Sequence, residues 1–143
     1  MKCTVIIDAD REEEILIYAH EKSALIEQIE NLVQDYGTRL IGYREDRFTE
    51  LCPAELECLT VEQGKVVAVT KEGTWRLRRR LYELEQQLST DFIRINQSCI
   101  VNKKRIDRFE ASLGGALKVI LKSGYADYVS RRQLKNVKER LGL

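Results

Sequence analysis

Along most of this chain apolar and polar residues alternate in short runs, and only a few stretches switch to the spacing of a helix face. Cys3 to Ala9 and Glu14 to Ala19, both rich in Val, Ile or Leu, read as two strands joined by the acidic string DADREEE, a hairpin with a long polar loop. Ser23 is a helix N-cap residue, and Leu25, Ile26, Ile29, Leu32, Val33 and Tyr36 then recur at helical spacing until Gly37 supplies a stop. The apolar stripe of this helix is expected to cover the hairpin or a second copy of the chain. Residues 1–37 thus read as a β-β-α segment, suited to dimerisation or sensing, ahead of a second unit spanning 38–143.

Beyond Gly37 the pattern is that of strands and tight turns. Arg39 to Arg44 and Arg47 to Leu51 flank an Asp-containing turn, Leu56 to Glu62 and Lys65 to Thr70 flank Gln63-Gly64, and Glu72-Gly73 precedes Thr74 to Arg78. Pro53 falls between strands, where its missing donor does no harm. Leu81, Leu84 and Leu88 mark a short helix over Arg79 to Leu88. Further strands are expected at Phe92 to Ile95, Ile106 to Phe109, Ala116 to Lys122 and Tyr125 to Val129, with turns at Gly114-Gly115 and Ser123-Gly124. The fold class is α+β, mainly β, built from antiparallel sheets with short helices. A last helix starts at Ser130-Arg-Arg-Gln133, which fits a capping box, and is anchored by Leu134, Val137 and Leu141. Its first turn carries Arg131 and Arg132 at the positive end of the helix dipole, a place suited to phosphate or a guanine edge. The plainer reading is that these arginines pair with nearby carboxylates.

Charge changes the picture. The chain has a formal net charge of +1, yet Phe92 to Leu143 holds 12 Lys and Arg against 4 Asp and Glu, which leaves 12 against 19 for Met1 to Asp91. Halves of opposite sign are expected where one part faces a polyanion and the other does not. The ordinary alternative is that the basic residues only solvate their strands and helices. No apolar run approaches the roughly 20 residues of a membrane span, and the N-terminal string lacks the apolar stretch of a signal peptide, so a cytoplasmic location is expected. Of the four cysteines, Cys3 and Cys99 sit in apolar runs and read as core thiols. Cys52, Cys58 and the single histidine, His20, have no spacing that resembles a zinc signature, and no cofactor or metal is implied. With no recognisable nucleophile or Gly-rich phosphate loop, an enzyme is the least supported class.

The strand pair around LECLTVEQGKVVAVTKEG, the helix RRLYELEQQL, the string FIRINQSCIVNKKRI and the ending YVSRRQLKNVKERLGL together resemble the LytTR family of bacterial DNA-binding output domains, in its order and spacing, over about Thr38 to Leu143. The resemblance implies a mainly β fold that presents loops to double-stranded DNA, and a transcriptional regulator. By motif position it implies base contacts from Arg132, Gln97 and Lys65, the last in the short turn after LECLTVE. Arg94, Ser98, Lys103 and Arg131 are then expected to hold phosphate, with turn stabilisation the simpler role for Ser98 and Asn102. Many relatives carry a phosphorylation-receiver domain ahead of this unit, and the roughly 40 residues here are too few for one. Asp8 and Asp10 therefore read as part of a solvated loop, and the chain as a stand-alone regulator that forms a homodimer. Two competing readings are an RNA-binding module, disfavoured by the lack of exposed aromatic pairs beyond Tyr125 and Tyr128, and a protein-interaction or sensor module with an incidental basic surface.

Overall fold

A computed structural model describes the whole chain, Met1–Leu143. Its elements run α1 (Ala24–Gly37), β1 (Leu40–Arg44), β2 (Arg47–Leu51), β3 (Leu56–Glu62), β4 (Lys65–Thr70), β5 (Gly73–Leu77), α2 (Leu81–Gln87), β6 (Phe92–Asn96), β7 (Cys99–Asn102), β8 (Ile106–Ala111), β9 (Leu117–Leu121), β10 (Ala126–Val129) and α3 (Arg131–Leu141). The strands form a seven-stranded antiparallel sheet in the order β2-β1-β5-β4-β3-β7-β6 and a three-stranded sheet in the order β10-β9-β8.

Side-chain alternation divides the core into two layers. Phe92 and Ile100 point to one face of the large sheet and join Leu40, Leu56, Leu59, Leu81 and Leu84, so that α2 closes that side. Ile93, Ile95, Cys99 and Val101 point to the other face and meet Val119, Leu121, Val129 and Val137 from the small sheet and α3. Strands β6 and β7 are therefore buried on both faces, which is why FIRI and CIVN read as nearly continuous apolar runs. Asn102 is polar in this setting but satisfied: its Nδ2 donates to the Leu56 carbonyl at 2.9 Å and its Oδ1 accepts from the Lys104 amide at 3.1 Å.

The first 22 residues depart from expectation. Cys3 to Ala9 and Glu14 to Ala19 are exposed on either side of a turn at Asp8, but no ladder joins them. A two-stranded hairpin is marginal unless it packs on something, and here nothing in the chain covers it. Cys3, expected in the core, is consequently exposed, whereas Cys58 and Cys99 are buried and Cys52 is exposed. Helix α1 begins as anticipated, with Ser23 Oγ accepting from the Ile26 amide, but it docks on the domain through its polar face. Asn31 Nδ2 donates to Asp91 Oδ1 at 3.3 Å, Asn31 Oδ1 accepts from Thr90 Oγ1, Gln34 Nε2 donates to the carbonyls of Gln87 and Leu88, and Asp35 accepts from the Ser89 amide and hydroxyl. Much of the apolar stripe stays open to solvent, with Leu25, Leu32, Val33 and Tyr36 exposed and Ile26 and Ile29 half-buried.

Strand β7, which the apolar pattern of the sequence does not mark as a strand, is short but pairs on both sides, with β3 and with β6. The capping box at α3 is half made. Ser130 Oγ accepts from the Gln133 amide at 3.3 Å, while the Ser130 amide is taken by the Ile95 carbonyl at 2.8 Å, so Gln133 has no donor to reach back to. Gly142, at φ 70, closes the helix in the left-handed conformation that favours glycine.

Candidate nucleic-acid interface

Strand register brings three separate pieces of sequence to one end of the domain. Thr60 of β3 lies opposite Cys99 of β7, and Asn96 of β6 lies opposite the same Cys99. The Val61 amide donates to the Ser98 carbonyl at 2.9 Å, so the Gln63-Gly64 turn of β3–β4 and the Gln97-Ser98 turn of β6–β7 emerge side by side. Gln63 and Gly64 have φ of 51° and 75°, the paired left-handed conformation of a two-residue hairpin turn, which Gly64 adopts without strain. The bond from Ser130 to Ile95, with Asn96 Nδ2 donating to the Tyr128 carbonyl at 2.9 Å, fixes the start of α3 against the same turn. Lys65, Gln97, Arg131 and Arg132 therefore share one end, although they lie far apart in the sequence.

Their side chains are exposed, and neither arginine enters an ion pair or a side-chain hydrogen bond, which removes the plainer reading of the SRR string. Arg94 is otherwise engaged. Its Nε donates to the Asn96 carbonyl at 2.9 Å, its Nη2 to the Gln97 carbonyl at 2.6 Å and its Nη1 to Glu85 Oε2 at 2.8 Å, so it shapes the turn that presents Gln97 rather than standing free for phosphate. Ser98 is fixed through its backbone, its amide donating to Asn96 Oδ1 at 2.8 Å, while its hydroxyl stays at the surface. This is an Asx-type turn, in which the side chain of Asn96 substitutes for a backbone acceptor.

Lys103 lies elsewhere. Phe92 pairs with Asn102 at the other end of the β6–β7 hairpin, about 13 Å along the strand from Asn96 at ~3.3 Å per residue. There Lys103 Nζ is 3.5 Å and Lys104 Nζ 3.2 Å from the carboxylate of buried Asp91, beneath α1. Its charge neutralises Asp91, and its position is wrong for a phosphate held by the Gln97 end.

An arginine run in the supposedly acidic half was missed. Val66 pairs with Leu77, which sets Arg78 level with Lys65. Arg78 stacks its guanidinium 3.9 Å from the Tyr43 ring centroid, Arg79 bonds to Gln87, and Arg80 stands exposed at the start of α2. The string RLRRR is plain in the sequence, but averaging over Met1 to Asp91 conceals it. Residues 1–37 hold 9 Asp and Glu against 3 Lys and Arg, whereas 38–91 are close to balance at 10 against 9.

The titratable groups elsewhere are structural. Hydrogen bonding to Cys99, then burial, pushes the Cys58 thiol far above its ordinary range, so it is a protonated core group. Burial likewise raises the Asp35 carboxyl, and the Ser89 donors pull it partly back. No group of three or more His, Cys, Asp and Glu is arranged to hold a metal ion. No helix is long and apolar enough to cross a membrane.

Residues 46–142 match the family model of the LytTr DNA-binding domain. The chain belongs to the LytTR family. Over its full length it is 34% identical to HTH-type transcriptional regulators of Staphylococcus aureus strains NCTC 8325 and COL, covering 99% of each. The LytTr DNA-binding domain of a DNA response regulator from Bacillus cereus superposes with a TM-score of 0.70 at 22% identity, over 75% of this chain and all of that one. The relatives' helix-turn-helix label finds no counterpart in this LytTR fold, because strands intervene between each helix and the next. Residues 1–37, ahead of the matched domain, contain one helix and no strand, which is not the architecture of a receiver.

Proposed function

We propose that this LytTR protein is a transcriptional regulator that reads duplex DNA sequence-specifically, in the cytoplasm, from the end of the domain formed by the β3–β4 turn, the β6–β7 turn and the start of α3. The observation that carries the reading is the convergence there of Lys65, Gln97 and Arg132, all exposed and with no internal partner that competes for their donors. We assign base contacts to these three. Arg131 and the Ser98 hydroxyl are assigned to backbone phosphate, joined by Arg80 from the β5–α2 connection. Arg94 and Lys103 are assigned to holding the hairpin rather than DNA. A guanidinium at the α3 start can donate two parallel hydrogen bonds to a guanine, and the charges of Arg131 and Arg80 release counterions as they neutralise phosphate.

The experiment is a salt titration of binding to duplex DNA, with single-stranded RNA as competitor. Affinity is expected to fall steeply between low and physiological salt, and RNA is expected to compete poorly. Binding that does not respond to salt would contradict the reading.

The same reading includes a homodimer. Leu25, Ile29, Leu32 and Tyr36 fall on one stripe of α1, and the polar latch to Ser89–Asp91 holds the opposite face of the helix against the domain. Leu32 is 67% and Tyr36 92% exposed, and Val5, Ile6, Ile7, Leu16 and Tyr18 of the N-terminal segment are exposed beside no partner. A second copy would cover both surfaces and present two reading ends to repeated half-sites. Sedimentation is expected to give a dimer for the native chain and a monomer for Leu32→Glu. A native monomer at high concentration, free and on DNA, would overturn this part.

A further inference from the structure

The loop that joins β8 to β9, Ser112 to Ala116, has no part in the family motifs, yet it projects from the same end of the domain. Ala111 pairs with Leu117, and Leu117 pairs on its other side with Val129, one residue before the Ser130 cap of α3. Adjacent strands are ~4.8 Å apart, so the loop stands one to two strand spacings, about 5–10 Å, from the start of α3. That is within the ~12 Å width of a major groove. The loop holds a defined shape through its own bonds: the Ser112 amide donates to the Ala116 carbonyl at 2.9 Å, the Gly115 amide to the Ser112 carbonyl at 3.0 Å, and the Ala116 amide to Ser112 Oγ at 3.2 Å. Gly115, at φ 83, is in the left-handed region that closes this turn.

At its tip Leu113 is fully exposed and packs on nothing. One exposed leucine is ordinary on a protein surface. This one sits on an uncharged loop of small residues, Ser112, Gly114, Gly115 and Ala116, beside side chains that otherwise all offer hydrogen bonds or charge. In the major groove the apolar feature available to such a side chain is the 5-methyl group of thymine.

We infer that Leu113 is a further specificity-determining residue, making an apolar contact with a thymine methyl in the groove that Arg132 enters. The inference rests on the DNA-reading end proposed above and adds a base that the polar residues leave unread. It predicts a preferred site with a thymine within a few base pairs of the base read by Arg132.

The test uses the full-length chain and its preferred duplex, in which each thymine is replaced in turn by deoxyuridine, a change that removes only the methyl group. Native protein is expected to lose about 3- to 10-fold in affinity at one thymine, the scale of one or two buried methyl-sized groups. Leu113→Ala should bind the unmodified site more weakly by a similar factor and be indifferent to deoxyuridine at that position, while Arg132→Ala keeps the response. Because Leu113 touches nothing within the chain, circular dichroism should be unchanged. The inference is overturned if Leu113→Ala binds like the native protein, or is weakened yet responds to every deoxyuridine as the native protein does. Either result, with specific binding by the native chain intact, leaves the reading end standing. Failure of the native chain to prefer any duplex removes both.

Discussion

Replacing Arg132 with alanine is expected to cost about 1–3 kcal/mol on the preferred duplex and to relax selectivity at one base position, because the free guanidinium at the α3 start is the best-placed bidentate donor on the reading end. The helix should survive, since Ser130 still accepts from the Gln133 amide and Val137 is fully buried against the sheets. Lys103→Ala is the control. Its ammonium is engaged by Asp91 at the far end of the hairpin, so the salt dependence of binding should stay as in the native chain. Quantitative binding to preferred and random duplexes at several salt concentrations checks both. Equal weakening of the two duplexes by Arg132→Ala would make the arginine a phosphate contact.

This contrast between Arg132 and Lys103 also marks how far the sequence was legible. Both stand in basic strings of the family pattern, and linear spacing treats them alike. What separates them is the register of β6 and β7, which sends Gln97 and Asn102 to opposite ends of a hairpin whose second strand the sequence pattern does not mark. Local signals with a local cause were readable: the left-handed turn at Gln63-Gly64, the Ser23 and Ser130 caps, and the alternation that buries Ile93 and Ile95 away from Phe92. The pairing of Arg94 with carbonyls two and three residues ahead depends on a turn geometry that residue types alone do not specify. The N-terminal strands failed for a different reason. Their pattern suits a ladder, but a hairpin becomes stable only when one face is covered, and in a single chain α1 is turned the other way by its polar latch. The same pattern is expected to have its use between two chains.

A second large effect is expected at Ile95, which no DNA contact requires. Its side chain is fully buried between the large sheet and the small sheet with α3, and its carbonyl receives the Ser130 amide. Ile95→Ala should destabilise the fold by about 2–5 kcal/mol through lost burial and the cavity left behind. Loosening this contact also frees the start of α3 from the β6–β7 turn, so the variant should lose site preference before it loses nonspecific binding. Urea denaturation gives the first quantity, and binding at low denaturant the second. A loss of stability below about 0.5 kcal/mol, the range of an ordinary surface change, would show that the two layers do not lock at this residue.

Whether one end of this LytTR domain reads base sequence is decided by selecting bound fragments from a random duplex library with the native chain and, in parallel, with Arg132→Ala. The native chain is expected to enrich a motif repeated as two half-sites, and the variant the same motif with one position in each half-site degenerate. A library that emerges unenriched from the native selection, or identical motifs from both proteins, would contradict it.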